Sequence, residues 1–170
     1  MKKFIMLLII ISSVLSIKSF AQENRVGKIG IGYSGNFTSN TNELSLSYWV
    51  TGVFVIEPQF GFRHIEIENN SGTTFKPGLG LLVRFNEQVI SPYAGARFKL
   101  NILSGGDDTY TDIILSLVFG GDYFMSGWLS IGAEMRFNYI STDEDFTPTY
   151  SVADASIFET EQVINFRIYF

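Results

Sequence analysis

Apolar and polar residues alternate along most of the sequence beyond about residue 25. In one stretch two sets of residues alternate: the apolar set is Phe54, Ile56, Pro58, Phe60 and Phe62, and the set between them is Val55, Glu57, Gln59, Gly61 and Arg63. A side-chain period of two is typical of a β-strand, because successive Cβ atoms point to opposite faces. The same alternation recurs at about residues 26–37, 43–50, 54–67, 74–86, 92–103, 110–124, 128–140 and 159–170. We therefore predict an all-β fold in one domain, residues 25–170.

The last of these segments ends the sequence on a large aromatic residue. Its apolar positions are Ile164, Phe166, Ile168 and Phe170. Chain ends of soluble proteins are usually polar and frayed, so this ending favours a strand that closes a membrane barrel. The last strand of a soluble barrel or sandwich is the alternative.

The connections between the predicted strands alternate in length. Those after the second, fourth and sixth strands are short: Thr51–Gly52, Asn86–Ser91 and Met125–Gly127. Those after the first, third and fifth are longer and polar, at Thr38–Asn42, Glu68–Thr73 and Ser104–Thr109, and the longest is Ser141–Phe158. Short turns at one rim and long loops at the other are typical of outer-membrane barrels. We predict an eight-stranded antiparallel up-and-down transmembrane β-barrel.

Alternation alone does not separate a membrane barrel from a soluble lipocalin-like barrel, because only the face that lines the lumen differs. The polar face is rich in glycine and serine, which suit a narrow lumen. Aromatic residues gather near the strand ends, as at membrane interfaces, and the apolar face carries almost no charge along its middle. These features favour the membrane barrel.

The N-terminus has the features of a secretory signal peptide. Lys2 and Lys3 precede the apolar run from Phe4 to Ile11, and Ser19 and Ala21 supply small residues for cleavage after Ala21. Removing residues 1–21 takes away three lysines and no acid, so the exported chain is more acidic than the whole sequence, whose net charge is −5. A basic surface for nucleic acid is therefore not expected. The sequence has no cysteine, so disulfides do not contribute to its stability.

The signal peptide, the strand count, the loop asymmetry and the terminal phenylalanine together resemble the small eight-stranded OmpA/OmpX-type outer-membrane β-barrels. The resemblance covers the whole exported chain and is architectural. It implies a monomer integrated in the outer membrane of a Gram-negative bacterium, among lipid and lipopolysaccharide. It also implies that Phe166, Ile168 and Phe170 form the C-terminal signal for the barrel-assembly machinery. The expected role is structural or cell-surface interaction, with an unknown extracellular partner.

Charged residues on the polar face are the main candidates for function. We predict a lumen charge network of Glu57, Arg63, Arg84, Arg97, Lys99, Asp122, Glu134, Arg136, Glu161 and Arg167. An eight-stranded barrel is about wide enough for its side chains to fill it, so these charges are expected to pair with one another. A narrow or gated porin-like channel is the alternative. The sequence does not give the pairing.

An enzyme is not expected, although lipid-modifying enzymes occur on this scaffold. His64 is the only histidine, with Glu66 two positions on, and a nucleophile, base and orienting acid in the required arrangement are not evident. The acidic clusters lack the spacing of a calcium loop, so neither a metal nor another cofactor is expected. The predicted extracellular loops contain acids and no lysine or arginine, which disfavours polyanion binding. The candidate contact residues there are Asp107, Asp108, Asp143, Glu144, Asp145 and Tyr150.

Overall fold

Eight antiparallel strands form a closed barrel in which each strand pairs with its neighbours in sequence and β1 pairs with β8. The computed structural model describes residues 25–36, 42–67, 70–105, 108–142 and 156–170. The strands are β1 (Ile29–Asn36), β2 (Asn42–Trp49), β3 (Phe54–Ile67), β4 (Asn70–Arg84), β5 (Ile90–Gly105), β6 (Asp108–Ser126), β7 (Leu129–Thr142) and β8 (Ser156–Tyr169). The prediction of an eight-stranded up-and-down barrel is confirmed. The proposed signal peptide, residues 1–21, lies outside the described residues.

Apolar side chains cover the outside of the barrel, and polar and charged side chains fill much of its inside. On β6, Leu117 is 61% exposed and Phe119 is 53% exposed. Val118, which lies between them, and Ser116, which precedes them, are buried. This is the arrangement of a transmembrane barrel and the reverse of a lipocalin-like barrel, in which the apolar face lines the lumen. In the part of the chain that the structure describes, no helix is long and apolar enough to cross a membrane.

Several strands extend further than the alternation predicts. β4 begins at Asn70, β5 runs to Gly105 and β6 begins at Asp108, so much of the predicted loops Glu68–Thr73 and Ser104–Thr109 belongs to strands. Paired residues such as Ile65 and Gly72 continue the β3–β4 ladder through this polar sequence. Backbone hydrogen bonds do not require apolar side chains, so a strand can continue where its sequence is polar on both faces. The strict alternation therefore ends before the strand does.

The barrel wall is uneven at one end. We call the end that carries the β2–β3, β4–β5 and β6–β7 connections the short-turn end, and the other end the loop end. β1 and β2 have 8 residues each, whereas the other six strands have 14 to 19. Towards the loop end, the described ladder of β1 with β8 reaches Asn36 and Val163, and that of β2 with β3 reaches Glu43 and Gly61. The described parts of β1 and β2 therefore end before β8 and β3 do at this end.

Candidate functional site

The inside of the barrel holds an ion-pair network in which acids and bases are equal in number. Among the described residues, five acids and five bases take part, all on strands β2 to β8: Glu43, Glu57, Asp122, Glu134 and Glu161 with Arg84, Arg97, Lys99, Arg136 and Arg167. Period-two alternation directs each of these side chains inward, and the closed sheet brings distant strands together. We call these ten residues the ion-pair network.

Glu57 is at the centre of the half nearer the short-turn end. Its side chain is fully buried and accepts hydrogen bonds from Arg97 at 2.8 Å, from Arg167 at 3.0 Å and from the Ser47 hydroxyl at 2.5 Å. Arg167 also donates to Asp122 at 2.7 Å, and Asp122 pairs in turn with Arg84. Charged groups in such a setting are stable only when paired and hydrogen-bonded. The arrangement therefore holds β2, β3, β4, β5, β6 and β8 together through side chains.

Arg136 is at the centre of the half nearer the loop end. Its guanidinium donates to Glu134 at 2.5 Å and to Glu43 at 2.8 Å, and it lies 3.6 Å from Glu161. Glu43 also accepts from Lys99 at 2.5 Å. Arg97 donates to Glu134 at 2.6 Å as well as to Glu57, so the two halves form one connected network.

Glycines inside the barrel give space to the large side chains of the next strand. Six cross-strand pairs in direct register combine a glycine with a large residue: Gly30–Tyr169, Gly32–Arg167, Gly78–Lys99, Gly80–Arg97, Gly120–Tyr93 and Gly132–Asp122. A Cβ placed on any of these glycines would come within 3.1 Å of its partner's side chain. We call these six glycines the glycine seats. They allow long charged side chains to lie inside a narrow lumen.

An aromatic plug closes the lumen at the short-turn end. It consists of Trp49, Tyr93, Phe124 and Tyr169, packed with Val55, Leu82 and Val118 in one buried apolar cluster. Phe124 and Tyr169 have ring centroids 5.6 Å apart, and Trp49 meets Tyr169 edge-on at 6.3 Å. The plug joins the ion-pair network through Tyr93, whose hydroxyl donates to Glu134 at 2.9 Å.

Arg25, just before β1, lies across the plug. Its guanidinium carbon is 3.4 Å from the centroid of the Phe124 ring and 5.3 Å from that of Trp49, which is within cation–π range. A turn with Gly27 at φ 80° directs the chain there, and the Gly27 N–H donates to the Trp49 carbonyl at 2.8 Å. Burial, together with the nearby charge of Arg84, lowers the pKa of Arg25. Arginine stays protonated near neutral pH even so, which keeps the cation–π contact.

Nine of the ten predicted lumen charges belong to the ion-pair network, and Arg63 does not, because its side chain is exposed on β3. β3 extends beyond its described ladder with β2 at that level, so Arg63 reaches water. Glu43 was missing from the predicted set. It follows the same alternation as Ser45 and Ser47, so its position on β2 was the available signal.

The other predicted sites are the C-terminal signal residues and the loop candidates. Phe166, Ile168 and Phe170 lie on the outer face, and Phe170 is 72% exposed. The loop candidates Asp107, Asp143, Glu144, Asp145 and Tyr150 lie outside the described residues, and Asp108 is the first residue of β6.

His64 is an exposed residue whose Nδ1 lies 3.0 Å from the Thr73 hydroxyl. Threonine is its only hydrogen-bond partner among the described contacts. Within the described ranges, no group of three or more His, Cys, Asp or Glu residues could hold a metal ion. The described geometry around His64 therefore does not assemble a nucleophile, base and orienting acid.

The comparisons with known proteins identify the architecture. The structure matches Neisserial surface protein A (NspA) with a TM-score of 0.57 and 17% sequence identity, over 84% of this chain and 95% of that one. It also matches the N-terminal β-barrel domain of Pseudomonas aeruginosa OprF with a TM-score of 0.57 and 14% identity, over 85% of this chain and 98% of that one. The fold is that of the small eight-stranded outer-membrane β-barrels. No protein-family model matches the sequence, and no curated protein does.

Proposed function

We propose that this protein is an integral outer-membrane barrel with a structural or cell-surface interaction role, and that its lumen does not conduct ions under resting conditions. The observation that carries the proposal is the filled lumen. The ion-pair network occupies the polar part, and the aromatic plug with Arg25 occupies the short-turn end. An ion entering the lumen would have to separate buried pairs and displace aromatic rings, and both changes are energetically costly.

Single-channel recording in planar bilayers tests this proposal. The refolded exported chain is expected to give no steady conductance, because the aromatic plug and the ion-pair network occupy the lumen. A variant with Trp49→Ala and Phe124→Ala removes two plug rings and is expected to give measurable steps. Phe137→Ala, which shortens an outward side chain, is the matched control and is expected to stay silent. Steady conductance of the unaltered chain would refute the proposal.

A gated channel is the second candidate, and the shared carboxylates favour it. Arg97 lies between Glu57 and Glu134, and Arg136 lies between Glu43 and Glu134. Each arginine could therefore change partner without losing all its carboxylate contacts. Brief, infrequent openings of the unaltered chain that become long in Glu134→Gln would support gating, and silence in both would dismiss it.

The placement in the cell follows from the same proposal. Residues 1–21 act as a signal peptide cleaved after Ala21. The C-terminal residues Phe166, Ile168 and Phe170 are the signal for the barrel-assembly machinery. The protein is a monomer whose apolar face contacts lipid and lipopolysaccharide. The loop end then faces the outside, with Asp143, Glu144, Asp145 and Tyr150 as contact candidates. Enzymatic activity and cofactors form no part of the proposal.

Heat-modifiability tests the membrane placement. The refolded exported chain is expected to migrate faster on a gel unboiled than boiled, because an intact barrel resists detergent unfolding. Deleting Phe170 is expected to reduce insertion by cells while leaving refolding in detergent possible, since the phenylalanine acts through the assembly machinery. Equal mobility with and without boiling, and solubility without detergent, would refute the placement.

A further inference from the structure

We propose that Asp112 and Asn101, on the inner face of the barrel towards its loop end, bind a small monovalent metal cation such as sodium. We call these two residues the acceptor pair. The site is separate from the ion-pair network, and the inference goes beyond the proposed structural or surface role. It concerns only side chains inside the barrel.

Strand register brings the acceptor pair together. Asn101 of β5 and Asp112 of β6 are directly paired, and their side chains are 6% and 2% exposed. The Asn101 Nδ2 donates to the Asp112 Oδ2 at 2.8 Å. The Oδ1 atom of each residue is buried and has no hydrogen-bond partner. Because buried polar atoms are nearly always satisfied, two such acceptors on paired residues indicate a ligand that the chain itself does not supply.

Asp112 differs from the other buried acids in having no counter-charge. Five acids among the described residues are buried, and the other four, Glu43, Glu57, Asp122 and Glu134, belong to the ion-pair network. None of the ion pairs of the described residues includes Asp112. A buried carboxylate that is hydrogen-bonded only to a neutral amide is unfavourable, so a positive charge beside it is expected to stabilise the fold.

The rest of the exported chain offers few sources for this charge. Residues 37–41, 68–69, 106–107 and 143–155, which lie outside the described ranges, contain no lysine, arginine or histidine. Lys99, two residues before Asn101, donates to Glu43 at 2.5 Å. Lys76 of β4 lies between Phe75 and Gly78, the partners of Ile102 and Lys99, so Asn101 stands between it and Asp112. Its side chain is half-exposed. Lys76 is therefore the competing counter-charge that an experiment has to exclude.

The chemistry of the acceptor pair fits a hard monovalent cation. A carboxylate and an amide carbonyl present oxygen atoms, which hard cations prefer as ligands. One carboxylate balances one positive charge, whereas calcium typically takes about six to eight oxygen ligands, several of them from carboxylates. The burial of both side chains restricts the occupant to about the size of an ion. The paired and buried Ile114 and Ile140 follow on the inner face, and apolar neighbours strengthen the attraction between the carboxylate and a cation.

The test measures urea unfolding of the full exported chain in uncharged lipid vesicles at constant ionic strength and chloride concentration. Sodium replaces tetramethylammonium, which is too large for a buried site, in steps. A ligand that binds only the folded state stabilises it by mass action. We therefore expect the unfolding equilibrium constant, at one fixed urea concentration, to fall about tenfold for each tenfold rise in sodium above the dissociation constant.

Two variants assign the effect to the acceptor pair. Asp112→Asn keeps the shape of the side chain and removes its charge, and we expect its stability not to depend on sodium. Glu87→Gln removes the same charge from a half-exposed side chain in the β4–β5 connection. It is the matched control and should keep the full sodium dependence. Lys76→Gln should also keep it, because in the proposed site the metal cation, and not this lysine, balances Asp112.

Three results would overturn the inference. An unaltered chain that unfolds equally in sodium and in tetramethylammonium would mean that water or a proton satisfies Asp112, and this result needs no variant to fold. Equal sodium dependence in Asp112→Asn and in the unaltered chain would mean that the ion acts elsewhere. Sodium dependence that appears only in Lys76→Gln would assign the counter-charge to the lysine.

Discussion

Replacing Asp122 by alanine is expected to destabilise the barrel more than replacing Glu57, although Glu57 has more partners. Asp122 pairs with Arg84 and Arg167. Without it, Arg167 keeps Glu57 at 3.0 Å. Arg84 is 1% exposed, and among the described residues Asp122 is the only carboxylate within ion-pair distance of it. Asp122→Ala therefore leaves one arginine buried without a counter-charge.

The structure sets the size of the difference. Breaking a buried ion pair by removing one partner typically costs about 3–5 kcal/mol, and we expect this range for Asp122→Ala. In Glu57→Ala, Arg97 keeps Glu134 at 2.6 Å and Arg167 keeps Asp122 at 2.7 Å. Each arginine then retains one carboxylate, so we expect about 1–3 kcal/mol, the cost of leaving hydrogen-bonding groups unsatisfied.

Equilibrium unfolding in urea, with the protein inserted in lipid vesicles, measures both losses. The chain has two tryptophans, buried Trp49 and exposed Trp128, whose fluorescence reports unfolding. Arg63→Ala removes an exposed charge and is the control, with an expected change within about 0.5 kcal/mol. A loss below about 1 kcal/mol for Asp122→Ala, or a larger loss for Glu57→Ala, would refute the pairing described here.

The remaining predictions concern packing, the lipid-facing surface and chemistry. Gly120→Ala is expected to destabilise by about 1–3 kcal/mol, because its Cβ would meet the Tyr93 ring. Gly121→Ala, one residue on and facing outward, should change the urea midpoint little, and equal losses for the two variants would contradict the glycine seats. Leu117→Arg, on the outer face, is expected to lose about 2–4 kcal/mol in vesicles, and no loss would place that residue in water. His64→Ala should leave the lipid A species seen by mass spectrometry unchanged, whereas loss of one species would indicate a catalytic role.

The sequence predicts the number and type of the strands well, because lipid and a polar lumen impose opposite demands on the two faces. It predicts the ends of the strands less well, where the strands leave the apolar band. Asn70 to Thr73 appear as a loop in the alternation but continue β4, because backbone pairing does not require apolar side chains. Arg63 has the alternation of a lumen residue, but β3 continues there beyond its described ladder with β2, and the side chain is exposed.

The pairing inside the lumen could not be predicted in the same way. The alternation places Glu57 and Arg167 on the inner face, but they are 110 residues apart in sequence and on different strands. Which acid meets which base depends on the register of all the intervening strands, and alternation leaves that open. The part played by Glu43 depends on the same information, because its partners lie on β5 and β7.

The glycine seats limit which strand registers are compatible with a closed barrel. A slip of one residue turns every side chain to the wrong face, but a slip of two preserves the faces and is invisible to hydrophobic patterning. Such a slip between β5 and β6 would move Tyr93 from Gly120 to a position opposite Val118 or Asp122. Val118 and Asp122 both carry side chains, so neither offers the space that Gly120 leaves for the ring. Pairing two residues out of step is therefore expected to be sterically unfavourable, so the glycines favour the observed register among those that preserve the faces.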